Sequence, residues 1–239
     1  MELSIDDLPE RLFANPVWHA LQSRHRHFAA AAGEACRYPR DVAPLGAVAE
    51  PSSRALKDLS SLLEPGESLW LVGDRYPPVP EMTFEGTLAC FQMILPEDVA
   101  APDSGHDIVR LSDSREMVAL TDAAFPGFFR PRTCSMGSYY GVRAEGELIA
   151  MAGERIMLDG YAEISAVCTR KEHRGKGLAA ALIWRLVQDH RRDGVVSWLH
   201  VGSENRGAIE LYSKMGFRAI SEVMLHRVSL AGSSQGSPP

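Results

Sequence analysis

The sequence predicts an α/β fold of the α+β type, in which strands and helices follow one another in both halves of the chain. The first observation is a meander, because three apolar segments within 139–169 are separated by turn signals at Glu145-Gly146 and Asp159-Gly160. The second is an amphipathic helix pattern at about 177–190. The third is the glycine-containing loop that joins this meander to this helix. Together they predict a sheet with helices packed against it.

The N-terminal half carries weaker patterns. Apolar side chains recur at a spacing of three to four from Asn15 to Ala32, which predicts one helix over 15–32, with Asn15 as its cap and Pro16 in its first turn. The other elements predicted in this half are a helix at 53–63 and strands at 69–72 and 87–95.

The C-terminal half is more regular. The predicted elements are helices at 113–124, 177–190 and 205–215, and strands at 139–144, 148–158, 161–169, 195–201 and from 217 to 228. The stretch before Gly105 has the composition of a linker. We therefore predict an N-terminal α/β lobe at 1–104, a second domain at 105–230 and a disordered tail at 231–239.

The composition excludes several classes of protein. The chain has 239 residues, of which 45% are hydrophobic and 23% charged, as in ordinary globular proteins. Its net charge of −6 argues against nucleic acid or an anionic membrane as a partner. The acidic first ten residues do not resemble a secretory signal, so a cytoplasmic location is expected. Four scattered cysteines predict free thiols and no metal site.

The loop between Thr169 and Ala179 carries the chemistry. Four basic residues and one acidic residue give it a local charge near +3 in a chain of −6. Gly175 and Gly177 allow the backbone to approach a phosphate, and the helix that follows offers unpaired amides. The Walker and dinucleotide-binding patterns are absent. From this loop alone, an anion site and a merely solvated turn both remain open.

Two motifs resemble the GCN5-related N-acetyltransferases, the GNAT family. The segment 174–179, RGKGLA, is similar to the R/Q-x-x-G-x-G/A signature of that family and lies between a predicted strand and a long helix. Downstream, 199–205 (LHVGSEN) and 208–217 (AIELYSKMGF) are similar to the later strand of the family and its A-x-x-L-Y-x-x-x-G-F run. The resemblance extends from about 108 to 228 and is closest to the FR47-like subgroup.

The resemblance implies a mixed central sheet with splayed strands and flanking helices. Acetyl-CoA would lie between the diverging strands 163–169 and 195–201. The N-terminal lobe would be a degenerate acyltransferase-like half, as in two-lobed relatives such as the glycine N-acyltransferases. The residues implied to bind the cofactor are Arg174, Gly175, Lys176, Gly177, Leu178 and Ala179 at the diphosphate, Val167, Cys168 and Thr169 along the pantetheine arm, and Asn205.

Three residues are candidates for catalysis. Glu163 is the preferred base, with solvent exposure or an arginine pair as the alternative. His200 is the second candidate, because imidazole titrates near neutral pH, and the alternative, a core histidine bonded to backbone, is ranked ahead of this role. Tyr212 matches the proton donor of the family, against a packing role. Cys168 lacks the partners of an acyl-cysteine nucleophile, and Asn205 could bind cofactor, cap its helix, or do both.

The resemblance implies an N-acetyltransferase that moves the acetyl group of acetyl-CoA to a primary amine by direct attack in a ternary complex. A small-molecule acceptor is favoured. The alternatives are a protein N-terminal or lysine acetyltransferase and a regulatory module that binds acyl-CoA without transfer.

Overall fold

A computed structural model describes residues 8–96, 99–100 and 105–232 of the chain. Contacts divide these residues into two compact units. The first contains 41–43 and the described part of 91–221, and the second contains 9–40, 44–90 and 222–232. Within the described ranges, no helix is both long and apolar enough to cross a membrane.

The first unit is built on a mixed sheet. Its strand order is β11–β5–β10–β9–β8–β7–β6, in which only the end of β5 and the start of β11 belong to this unit. The strands are β5 Met82–Ile94, β6 Val109–Arg110, β7 Tyr139–Ala144, β8 Glu147–Leu158, β9 Tyr161–Thr169, β10 Val196–Gly202 and β11 Arg218–Leu230, and the helices are α4 Ser114–Asp122, α5 Leu178–Arg192 and α6 Arg206–Lys214.

The predicted meander is confirmed. Strands β7, β8 and β9 pair antiparallel, with tight turns at the two predicted positions. Gly146 (φ 84°) and Gly160 (φ 82°) adopt the left-handed conformation that such turns require. Strands β9 and β10 then pair in parallel, because α5 connects them across one face of the sheet.

Helix α5 supplies the main core of the first unit. Its apolar stripe, Leu182, Ile183, Leu186 and Val187, is buried against sheet residues that include Ile164 and Leu199. The predicted spacing is confirmed, since these side chains recur at intervals of three and four. On the other face of the sheet, α4 packs in a smaller cluster with Tyr139, Met151 and Cys168.

The second unit has its own sheet and core. Its strand order is β1–β2–β3–β4–β11–β5, and β3 pairs with β4 in parallel. The further elements of this unit are β1 Ala30–Ala32, β2 Ala35–Arg37, β3 Leu45–Val48, β4 Ser68–Val72, α1 Glu10–Ala14, α2 Pro16–Gln22 and α3 Ser53–Ser60. Arg37, at the end of β2, forms a buried ion pair with Glu67, and each side chain is at most 6% exposed.

The helix predicted at 15–32 is wrong in extent. Helix α2 ends at Gln22, a 3-10 turn covers Arg26–Phe28, and the last residues form strand β1. Two tertiary contacts explain the difference: the buried His25 Nδ1 lies 2.8 Å from the Tyr38 hydroxyl, and 30–32 pair with β2. Helix α2 begins at Pro16 with Asn15 at the N-cap position, as predicted, but the Asn15 side chain makes no cap hydrogen bond, and its amide donates to the Val48 carbonyl at 2.8 Å.

The division into contact units differs from the boundary predicted near Gly105. The end of β5 belongs to the first unit because the Leu95 amide donates to the Ser197 carbonyl at 2.9 Å. The end of β11 belongs to the second unit because Leu225 pairs with Val72. Of the tail predicted to be disordered, Ala231 donates to the Glu81 carbonyl, and 233–239 lie outside the described residues. An acyltransferase-like origin of the N-terminal lobe stays a prediction.

We predict that Leu182→Ala lowers the free energy of unfolding by about 2–5 kcal/mol, because it opens a cavity at a fully buried position of α5. The exposed Gln188 on the same helix provides the control, and Gln188→Ala should change stability by less than about 0.5 kcal/mol. Chemical denaturation of the three proteins measures both values. Equal losses in the two variants would contradict the assignment of the α5 core face.

Candidate active site

The site begins where two parallel strands part. Strands β9 and β10 are in register from Tyr161 and Val196 to Glu163 and Trp198. No further register pair joins the described residues of these two strands. The opening therefore starts directly after Glu163, and β9 has one edge without a strand partner from there to Thr169. This is the splayed pair that the family resemblance implies.

A bulge interrupts β9 inside this opening. Cys168 pairs with Met151 and Ser165 pairs with Gly153, so two residues of β9 lie opposite one residue of β8. Ala166 has φ 53°, a left-handed conformation that costs a non-glycine residue about 1–2 kcal/mol. Such strain is concentrated at functional sites, and here it turns the backbone amides next to the opening out of the regular ladder.

The basic loop follows β9 directly. Gly175 (φ 75°) and Gly177 (φ 77°) are both left-handed, and α5 starts at Leu178. The first bond of the helix runs from the Ala181 amide to the Gly177 carbonyl, so the amides of Leu178 and Ala179 point out of the helix without helical partners. The exposed cationic side chains around them are Arg170, Lys171, Arg174 and Lys176. This geometry suits a diphosphate.

Glu163 is fully buried and held from three directions. Its carboxylate accepts two bonds from Arg155, at 2.6 and 3.0 Å, and one from the Ile156 amide at 3.2 Å. The His200 Nδ1 lies 2.8 Å from the same carboxylate. Burial alone would raise the pKa of Glu163, but the Arg155 charge and these hydrogen bonds outweigh it and lower the pKa to about 2.

The low pKa makes Glu163 a poor proton acceptor near neutral pH. The sequence ranked Glu163 ahead of His200 as the base, and both roles stay predictions, although the low pKa of Glu163 weighs against that order. The alternative that the sequence left open, an arginine pair, is the observed arrangement. Glu163 and His200 lie at the start of the opening, where the carboxylate can orient the imidazole ring. The His200 side chain is 6% exposed.

Sequence reasoning missed two members of this cluster. Arg155 comes from β8, eight residues before Glu163, and Gln92 comes from β5, with its Nε2 3.1 Å from the His200 Nε2. Neither lies in a motif, and only the pairing of distant strands brings them to the site. Four strands thus contribute one polar side chain each, on the sheet face opposite α5.

Tyr212 and Asn205 lie on and before helix α6. The Asn205 side chain accepts from the Ala208 amide at 3.2 Å, so its capping role is confirmed, while a contact with the cofactor stays a prediction. Tyr212 is 7% exposed and packs beside Phe217, with ring centroids 5.9 Å apart. Burial raises the pKa of Tyr212 to about 12, so the phenol keeps its proton at neutral pH.

Val167, Cys168 and Thr169 lie on the open part of β9, after the bulge. Their backbone is placed to pair with an extended ligand along the β10 side of the strand. Cys168 itself is 7% exposed, and burial raises the pKa of its thiol to about 12. This environment makes the thiol unreactive, and Cys168 also lacks the partners of an acyl-cysteine nucleophile.

Comparison with known proteins shows the family and the fold of the chain. The model of the "Acetyltransferase (GNAT) family" matches residues 108–217. A solved structure of a protein assigned to the GNAT family from Novosphingobium aromaticivorans is 34% identical, with a TM-score of 0.82, over 92% of this chain and 98% of that one. A GCN5-related N-acetyltransferase from Kribbella flavida shares the fold, with a TM-score of 0.60 over 93% of this chain and 95% of that one, at 19% identity.

Among curated proteins, YobR, an uncharacterized N-acetyltransferase of Bacillus subtilis, is 36% identical over 77 residues. That match covers 32% of this chain and 31% of YobR, so it spans about a third of the relative. The fold, the glycine loop and the splayed strands are those expected of the GNAT class of acyltransferases. The chain belongs to the GNAT family. Membership of the FR47-like subgroup stays a prediction.

We predict that the buried Glu163 makes the free energy of unfolding fall at low pH. A carboxylate whose pKa falls from 4.5 to about 2 on folding stabilises the protein fully above pH 4.5 and loses this effect as the pH falls through 2. Between pH 4.5 and pH 2 the contribution of Glu163 to the free energy of unfolding should fall by about 3 kcal/mol. Denaturation at a series of pH values measures it.

Glu163→Gln should be less stable than the wild type at neutral pH and should flatten this acid limb, because the group no longer titrates. The control is Glu147→Gln, which removes a carboxylate that pairs with Arg170 and is 68% exposed. An acid limb in Glu163→Gln as steep as that of the wild type would contradict the assignment.

Proposed function

We propose that the protein is an N-acetyltransferase that transfers the acetyl group of acetyl-CoA to the primary amine of a small molecule. The observation that carries this proposal is the opening between β9 and β10 after Glu163 and Trp198, with the bulge and the N-terminus of α5 beside it. The acceptor amine would attack the thioester directly while both substrates are bound.

The residues present fit the cofactor. The amides of Leu178 and Ala179 and the glycines of the loop would hold the diphosphate, with Arg174 and Lys176 adding positive charge. The backbone of Val167, Cys168 and Thr169 would pair with the pantetheine arm. Bound acetyl-CoA supplies an activated thioester carbonyl.

His200 is the proposed base. A neutral amine is the nucleophile, and the proton that it loses needs an acceptor that titrates near neutral pH. The ionised Glu163 carboxylate beside Nδ1 fixes the imidazole ring and stabilises its protonated form. Glu163 therefore acts through His200 in this proposal.

Two groups stabilise the developing charges. Amides turned outward by the Ala166 bulge can donate to the thioester oxygen as it gains negative charge. Tyr212 would donate a hydrogen bond to the leaving sulfur. Because the pKa of its phenol is about 12, a hydrogen bond that stabilises the thiolate is favoured over complete proton transfer.

The preference for a small cationic or zwitterionic amine rests on the net charge of −6. None of the four cysteines, all within the described residues, forms a disulfide, which supports the proposed cytoplasmic location. A protein amine as acceptor and a binding module without transfer are outcomes that the measurements below would reveal.

We predict that acetyl-CoA binds the wild type and not Gly177→Asp. Calorimetric titration should show binding in the wild type and a loss of at least about tenfold in the variant, because the carboxylate repels the diphosphate at the start of α5. Gly177→Asn is the matched control, since asparagine has the same size and tolerates φ 77° equally well.

The difference between the Asp and Asn variants isolates charge from backbone strain and bulk. No binding of acetyl-CoA to the folded wild type would contradict the proposed cofactor. Binding without thiol release across a broad panel of small amines and peptides would favour the binding module.

We predict that His200→Gln lowers kcat by about 10²–10⁴ while KM for acetyl-CoA stays within error, because only the proton acceptor is lost. Thiol release with an active amine measures both constants. The control is His226→Gln, which alters a histidine of the second unit that lies 3.0 Å from the Gly73 carbonyl. Wild-type kcat in His200→Gln would exclude this base.

A further inference from the structure

A line of hydrogen bonds leads from the surface to His200. The Ser221 hydroxyl on β11 donates to the Gln92 Oε1 at 2.5 Å. The Gln92 Nε2 on β5 lies 3.1 Å from the His200 Nε2 on β10. Gln92 is fully buried, whereas Ser221 is partly exposed. Nothing in the family motifs includes Gln92 or Ser221, and both belong to the first unit.

The direction of each bond follows from chemistry. An amide oxygen only accepts, so the Ser221 hydroxyl is the donor. The other end of the Gln92 amide is an NH2 group, which donates, so the His200 Nε2 must be the acceptor. The proton of the neutral ring is then on Nδ1, where Glu163 accepts it. The four groups together define one tautomer of His200.

The groups that face His200 come from every neighbouring strand. Glu163 on β9 is its one anionic contact among the described residues, and Arg155 on β8 balances that charge. Gln92 and Ser221 are neutral, and the Trp198 ring lies edge-on with centroids 5.0 Å apart. His200 is the one imidazole among these side chains, and a ring nitrogen of imidazole can act as donor or acceptor.

Protonation of His200 would oppose this arrangement unless Gln92 responded. A proton on Nε2 would face the hydrogens of the Gln92 NH2 group. Rotation of the amide by half a turn removes the conflict: Oε1 then accepts from Nε2–H, and the NH2 group donates to the Ser221 oxygen. A hydroxyl can donate or accept, so Ser221 suits both orientations. The amide ends have nearly equal size, so the rotation needs no extra space.

We propose that Gln92 is a positioning residue for His200, and that the Gln92–Ser221 pair reverses the direction of its hydrogen bonds when His200 is protonated. In the proposed reaction the amine N–H bond breaks and an Nε2–H bond forms. Because the Nε2 lone pair faces the Gln92 NH2 group in the neutral state, the amide must turn away for this transfer, and its Oε1 then accepts from Nε2–H. The catalytic part of this inference rests on the proposed function, whereas the reversal of the pair does not.

The first test reads the ring directly, without any substrate. In ¹⁵N-labelled protein, histidine ring spectra recorded over a range of pH report which nitrogen carries the proton, and His200→Gln identifies the signals of His200. Neutral His200 in the wild type should carry its proton on Nδ1. An Nε2–H tautomer in the neutral wild type would overturn the proposal.

Gln92→Glu gives the second part of that test. A carboxylate at this position accepts from Nε2–H and cannot donate, so it should raise the midpoint of His200 titration by about one pH unit or more. Ser197→Ala is the control, because Ser197 lies 2.8 Å from another buried histidine, His190, and its loss should leave the His200 midpoint unchanged. A midpoint in Gln92→Glu equal to that of the wild type would also overturn the proposal.

The kinetic test uses Gln92→Met, which keeps the volume of the side chain and loses its hydrogen bonds. We expect kcat with an active amine to fall by about 10-fold to 100-fold while KM for acetyl-CoA stays within error. Gln92→Glu should move the acidic limb of the kcat/KM profile to higher pH, in parallel with the ring titration. A simple packing role would change neither the limb nor the tautomer.

The outcomes separate the two hypotheses. A wild type that acetylates no amine contradicts the proposed function, while the ring spectra still decide whether the Gln92–Ser221 pair behaves as proposed. An active wild type together with wild-type kcat and pH profile in Gln92→Met contradicts the positioning role alone. Thermal unfolding of each variant confirms that it is folded.

Discussion

The buried carboxylate of Glu163 is the constraint on which the centre of the first unit depends. It lies at the last register pair of β9 and β10, and its charge is balanced by Arg155 from β8. A buried ion is tolerated only when it is paired and hydrogen-bonded, and removal of one partner of such a pair typically costs 3–5 kcal/mol. Strands β9 and β10 are paired up to Glu163 and separate after it, so the Glu163 ion pair lies at the point where the pairing ends.

A second polar link stands on the other face of the sheet. His190 on α5 is 1% exposed and lies between Glu154 of β8, at 2.9 Å, and Ser197 of β10, at 2.8 Å. Successive residues of a strand point to opposite faces, so Glu154 and Arg155 serve the two links separately. Polar contacts on both faces of the sheet therefore stabilise the paired part of β9 and β10. Beyond Trp198 the two strands are separate, and a ligand could lie between them.

This arrangement connects stability to chemistry. The contacts that keep Glu163 ionised also make it a poor base, and they leave its negative charge next to His200. The strained Ala166 lies within the open part of β9, and the left-handed Gly177 ends the loop after it. Irregular backbone is thus found where β9 and β10 no longer pair and a ligand would bind.

Local patterns predicted the regular parts of the fold. The turn residues of the meander, the apolar stripe of α5 and the Asn205 cap are short-range signals, and each appears in the structure where the pattern placed it. The helix at 15–32 was predicted too long because some of its regularly spaced side chains are buried by contacts outside a helix. His25 is buried by Tyr38 rather than by a helical neighbour, and a sequence window does not contain that contact.

The sequence by itself determined the family and the basic glycine loop, because both are written in contiguous motifs. It also placed Glu163, His200 and Tyr212 among the candidates. Only the tertiary structure decided their surroundings, since these depend on partners that are far apart in the chain: Arg155 lowers the pKa of Glu163, and Gln92, 108 positions before His200, faces its ring. The charge of Glu163 and the tautomer of His200 depend on the side chains around them, and the folded sheet brings those side chains together.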